Sequence, residues 1–131
     1  PCGHLFERMA DANFDVFNFT HEVDIAEAKA KMGHRVALMG NVPPLNVGVR
    51  ETPAVVAQYA KACLDKAGPG GGLILSVGGG VSPDMPAENI DALVEAARVW
   101  TPPTPEEHQA LLASLKTASP ERASRSRRRR R

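Results

Sequence analysis

The sequence predicts an α/β fold built on a parallel sheet, and three observations carry that reading. Three short apolar runs, at 15–19, 35–40 and 72–77, are each bounded by Gly, Asn or Asp, and none alternates cleanly between apolar and polar residues. Continuous runs of this length suit strands buried on both faces. Helical patterns stand between them, giving the order helix, strand, helix, strand, helix, strand, helix, which is that of right-handed βαβ units. Three strands and four helices leave such a sheet badly exposed, so the segment reads as part of something larger. A doubly wound domain and part of a barrel are both compatible with the pattern.

The elements follow in order. A helix over His4 to Ala12 precedes the first strand. Asp24 to Met32 carries Ile25, Ala28 and Met32 at helical spacing, with Asp24 as N-cap and Gly33 as stop. Thr52 caps a longer helix to Ala67, with Pro53 at its first position. Its apolar stripe is Val55, Val56, Tyr59, Ala60, Cys63 and Leu64, which makes Cys63 a packing residue rather than a reactive one. A fourth helix runs from about Pro86 to Trp100, with Ile90, Leu93, Val94 and Ala97 on one face. Thr101-Pro102-Pro103-Thr104-Pro105 then breaks the pattern, and Glu106 to Lys116 predicts one more short helix, capped by Thr104, with Leu111, Leu112 and Leu115 apolar. From Thr117 onward the composition predicts disorder.

Charge is unevenly spread. The net charge of the 131 residues is +1, yet seven of the 16 Lys and Arg are Arg122, Arg125 and Arg127 to Arg131. Without them, nine basic residues face 15 acidic ones. The body is therefore mildly acidic and offers no basic face for nucleic acid. The Arg run has Ser, Pro and Ala neighbours and no interleaved aromatics, so it reads as a solvated tail. Cys2 and Cys63 form no CxxC pair and suggest no disulfide framework. No apolar run approaches the ~20 residues of a membrane span, and the cytoplasm is the default location. Asn18-Phe19-Thr20 matches a glycosylation sequon inside an apparent buried strand and reads as chance.

In parallel α/β folds the chemistry sits beyond the C-terminal ends of the strands. Here those positions hold Thr20-His21-Glu22-Val23-Asp24, Gly40-Asn41-Val42-Pro43-Pro44 and Gly78-Gly79-Gly80-Val81-Ser82-Pro83. His21 is either a ligand or substrate contact, or a polar loop residue. Asn41 either hydrogen-bonds substrate or forms the turn before the prolines. Gly78, Gly79 and Gly80 either bring backbone N–H groups to an anion or clear space for a bulky partner. The Gly68-Pro69-Gly70-Gly71-Gly72 run precedes a strand and has turn duty only. His4 and His34 look peripheral.

Several stretches resemble the uroporphyrinogen decarboxylase superfamily. They are Asp24-Ile25-Ala26-Glu27-Ala28, then Gly33-His34-Arg35-Val36-Ala37-Leu38-Met39-Gly40-Asn41, then Gly70 to Leu75 followed by Gly78-x-Gly80 and Pro86-x-Glu88-Asn89. The resemblance covers residues 1–100 in order. It implies the C-terminal part of a (β/α)8 TIM-type barrel, about three β/α units long. Residues 101–116 then form a Pro-rich break with a short helix, and 117–131 the tail. The implied partner is the missing N-terminal half of the barrel.

The superfamily holds decarboxylases of tetrapyrrole (haem) biosynthesis, which need no cofactor, and methyltransferases that move a methyl group from a corrinoid protein to a thiol or a pterin. In the decarboxylases the last-strand loop reads Gly-His-Gly, and its His helps bind the tetrapyrrole; here that position is Gly79. Their Arg and Asp from the first strands lie outside this chain. The thiol methyltransferases use zinc held by His-x-Cys and a Cys in Gly-Cys-Gly. Pro1-Cys2-Gly3 fits the first element, so the resemblance implies a zinc thiolate at Cys2, but the Cys of Gly-Cys-Gly falls on Gly79. His21 is a substitute metal ligand by position rather than by resemblance. The resemblance thus favours a corrinoid-linked methyltransferase over a decarboxylase for the full-length parent, with this segment inactive alone. A non-catalytic truncated remnant, suggested by the Pro-rich break and Arg tail, is the contrasting expectation.

Because residues from Thr117 lack apolar side chains to offset ordering entropy, deleting Thr117 to Arg131 from the full-length parent is expected to leave melting temperature and activity unchanged. A clear loss of either, by thermal unfolding or assay, means that the Arg run docks on something.

Overall fold

The computed structural model describes residues 3–117. A 3-10 turn, Gly3–Leu5, leads into helix α1, Phe6–Ala10. Strand β1, Val16–Asn18, is followed by α2, Ile25–Met32, and β2, Ala37–Val42, by α3, Pro53–Ala67. Strand β3, Leu73–Val77, is followed by α4, Ala87–Val99, and α5, Pro105–Thr117, closes the described chain. The strands form one parallel sheet in the order β1-β2-β3. Its register sets Phe17, Leu38 and Leu73 side by side, and Asn18, Met39 and Ile74 beside them.

The helix starts follow from local chemistry. Asp24 Oδ1 accepts from Ala26 N at 3.0 Å, and Thr52 Oγ1 from Val55 N at 3.4 Å. At α5, Thr104 Oγ1 accepts from Glu107 N while Glu107 Oε2 accepts from Thr104 N, at 3.2 and 2.8 Å. This reciprocal capping box satisfies two donors at once. Helix α5 thus includes Thr117, and the tail expected to be disordered otherwise lies outside the described residues.

Three expectations change. The second strand continues past Gly40 to Val42, because Gly40, Asn41 and Val42 keep pairing with Leu75, Ser76 and Val77. The loop after it contains a π-helical turn, Pro44–Val49. The helix before β1 is shorter than His4 to Ala12.

The core lies between the sheet and its helices. Phe6 of α1 meets Phe17 and Phe19 edge-on at 5.9 and 6.4 Å, while Phe17 and Phe19 stack at 5.6 Å. Ala28, Met32, Leu38, Val56, Ala60 and Val77 are fully buried around them. At the end of α4, Trp100 donates Nε1–H to Asp65 Oδ1 at 2.9 Å and lies flush on Gly68, where an added Cβ would sit 2.5 Å from the ring. This contact fastens α4 to the end of α3.

Apolar side chains remain outside. Tyr59, expected in the α3 stripe, is 46% exposed; Ile90 and Val94, on the apolar face of α4, are 40% and 46% exposed. Ile74 on edge strand β3 is 45% exposed and Val16 on β1 43%. Leu75, Val77, Val81, Met85, Ile90, Leu93 and Val94 line an open groove between β3 and α4. Edge strands with such surfaces invite association. Residues 1–131 expressed alone are therefore expected to self-associate or unfold without cooperativity. Size in solution and a thermal melt check this, and a cooperative monomeric transition contradicts it.

Candidate functional site

The loops after β1 and β3 meet in direct backbone contact at the end of β2. An added Cβ on Gly78 would lie 2.7 Å from His21 N, 3.1 Å from Phe19 O and 3.2 Å from the Thr20 carbonyl carbon. Glycine is required here by closeness of approach. Gly78 N–H also donates to Val42 O at 2.8 Å, joining the third loop to the second strand.

Asn41 is 7% exposed. Its amide donates to Val23 O at 2.8 Å and Thr20 O at 3.2 Å, and its oxygen accepts from Cys63 Sγ at 3.7 Å. Both amide hydrogens are thus spent on the loop that carries His21. Cys63 is buried under this network. Burial pushes its thiol above the ordinary range, with the Asn41 backbone pulling less strongly the other way, so it is held as a neutral donor. His21 itself is exposed. It borders a groove with Asp24, Asn41, Cys63, Lys66 and, from α5, Leu115.

At Gly79, φ is +93°, and an added Cβ would meet nothing within 4 Å; the same open space lies over Gly80. Sequence reasoning passed over the residue that holds this loop. Asn18, dismissed as part of a chance sequon in a buried strand, is exposed and clamps Gly79 at both ends: Nδ2 donates to Gly79 O, and Gly79 N–H donates to Oδ1, each at 3.1 Å. Its polarity at the end of a strand was the available signal; its partner, 61 residues away, was not readable. Two of the three glycine N–H groups are therefore already committed, and the loop does not present a nest of three.

Cys2 lies outside the described residues. Among the described residues no three His, Cys, Asp or Glu side chains converge as a metal site, so these residues by themselves do not fit zinc. No described helix is long and apolar enough to cross a membrane.

In parallel α/β folds chemistry gathers at the carboxyl ends of the strands; there the His21 backbone meets Gly78, while the His21 side chain borders a groove lined by α2, α3 and α5. The family described as Uroporphyrinogen decarboxylase (URO-D) matches residues 1–100, and the chain belongs to it. The uroporphyrinogen decarboxylase of Methylococcus capsulatus is 34% identical over 100 residues, covering 76% of this chain and 28% of that protein. That of Dechloromonas aromatica is 40% identical over 95 residues, covering 72% and 26%. A solved methyltransferase from Methanosarcina mazei superposes with a TM-score of 0.64 at 27% identity, over 72% of this chain and 27% of that one. The chain spans little more than a quarter of the length of these relatives.

The glycines separate cleanly in a stability test. Gly78→Ala in the full-length parent drives a methyl group into backbone and is expected to cost about 1–3 kcal/mol, read as a lowered melting temperature. Gly80→Ala, with open space and no left-handed φ, is expected to melt within about 0.5 kcal/mol of wild type. Equal melting of the two variants contradicts the loop contact.

Proposed function

We propose that the full-length parent is a (β/α)8-barrel methyltransferase that moves a methyl group from a corrinoid protein to a thiol or pterin acceptor, with residues 1–100 as the last β/α units of the barrel. The observation that carries this reading is Gly79. The decarboxylases that the sequence resembles carry a tetrapyrrole-binding His there; this chain has no side chain, a backbone already bonded to Asn18, and open space above. A broad, flat corrinoid suits a loop without side chains, with Gly80 N–H the backbone donor left to meet it. When bound, the corrinoid supplies the methyl group at its cobalt. On the neighbouring loop His21 is the exposed imidazole available to accept the proton of a thiol as its sulfur takes the methyl. Zinc has no step in this reading; a zinc site would need Cys2 together with groups from the rest of the barrel.

The second reading, decarboxylation of uroporphyrinogen, is favoured by the 34–40% identity to named decarboxylases. It requires carboxylate-binding groups from the parent's other strands.

The purified parent, offered a methylated corrinoid protein with thiol or pterin acceptors and, separately, uroporphyrinogen, distinguishes the two. Methyl transfer without release of carbon dioxide is the expected result; carbon dioxide release with no methyl transfer establishes the second reading. His21→Ala is expected to lower kcat about 100-fold, the scale of a lost general base, and an unchanged kcat removes His21 from the mechanism.

A further inference from the structure

Strands β1 and β3 are not neighbours, since β2 lies between them. Yet the end of β1 bonds directly to the loop after β3, through Asn18 and Gly79. A carboxamide presents the same donor and acceptor pair as a peptide group. Asn18 thereby makes with Gly79 the two-point bridge that the backbones of β1 and β3 are too far apart to make. The pairing register places Asn18 beside Met39 and Ile74, in the row flanking that of buried Leu38, so its side chain is exposed rather than part of the core.

We infer that Asn18 is a positioning residue: by clamping both polar groups of Gly79, it fixes the glycine loop in the form that receives the ligand. The inference rests on the proposed function for what that ligand is. The clamp has two effects. It holds Gly79 at φ +93°, a conformation glycine reaches without strain but does not hold unaided. It also withdraws Gly79 N–H and C=O from the ligand, so that the loop offers a smooth glycine surface and one N–H, from Gly80. Asn18 acts through Gly79 and need not touch the reacting atoms. Losing it releases the loop into many conformations, and ligand binding must then reorder it.

The experiment uses the full-length parent with Asn18→Ala and Asn18→Asp. Hydrogen exchange is followed at Gly78 and Gly79, alongside melting temperature and the steady-state constants. In Asn18→Ala, Gly79 exchange is expected to quicken roughly tenfold or more, as for the loss of a hydrogen bond. Gly78, bonded to Val42 O, stays unchanged. KM for the ligand is expected to rise about five- to tenfold with kcat within about twofold, the mark of lost preorganisation before binding. Asn18→Asp keeps the acceptor for Gly79 N–H but sets a carboxylate against Gly79 O. Its expected KM lies between those of wild type and Asn18→Ala, and this variant serves if the alanine protein does not fold. Unaltered Gly79 exchange overturns the clamp. Faster exchange with KM and kcat both unchanged overturns the positioning role and leaves a structural one. A wild-type parent inactive in both reactions removes the proposed function, and the exchange measurement then decides the clamp without it.

Discussion

The candidate site depends on three carboxamides, each tying one element to the loop of another. Asn41 at the end of β2 holds Thr20 and Val23 of the loop after β1. Asn18 at the end of β1 holds Gly79 of the loop after β3. Asn89 near the start of α4 is 1% exposed and donates to Gly48 O at 2.8 Å and Glu51 O at 2.9 Å, both in the loop after β2. Every loop is thus held by an element other than the strand it follows. Each bond contributes only about 1 kcal/mol net. Their value lies in uniqueness, because a buried amide that loses its partner costs more than the bond supplied. Asparagine suits all three places because its carboxamide is peptide-like, and at buried Asn41 and Asn89 it also brings no charge that burial would penalise.

The sequence disclosed local structure well and long-range stitching poorly. Asp24, Thr52 and Thr104 could be read as caps because capping is a matter of a few consecutive residues. The three strands were found because they are continuous apolar runs. The strand end at Gly40 was misplaced: glycine signals a break, but ladder pairing with β3 carries the strand through it. Position 78 was singled out as a glycine in a candidate loop, though the reason for glycine there, collision with the backbone of His21, depends on a segment far away in the chain. Asn18 was missed for the same reason. Asn41 was singled out, but its partners could not be: what reads as a side chain able to reach substrate is committed to Thr20, Val23 and Cys63.

The exposed apolar faces of β3 and α4 bear on the same question of what completes the fold. The spacing of Ile90, Leu93, Val94 and Ala97 correctly announced an apolar helix face, and in this chain that face borders an open groove. An apolar helix face left uncovered is a surface open to association. Helix α5 shows the contrasting case on the other flank. It lies beyond the family-matched residues and rests on α3 through His108 Nε2 and Lys66 O at 3.2 Å, with Leu115 against the groove that holds His21.

The glycine loop also shows why its backbone and its missing side chains must be weighed together. Three consecutive glycines invite the reading of an anion cradle, since each could aim an N–H outward. In the folded chain Val42 takes the first N–H and Asn18 the second, so neither is free to face an anion. A polycarboxylate substrate therefore has little to gain there, whereas a large, flat, weakly charged surface meets a wall with nothing projecting from it. Clearance rather than attraction is what this loop contributes, and the proposal of a bulky methyl carrier as its ligand is built on that clearance.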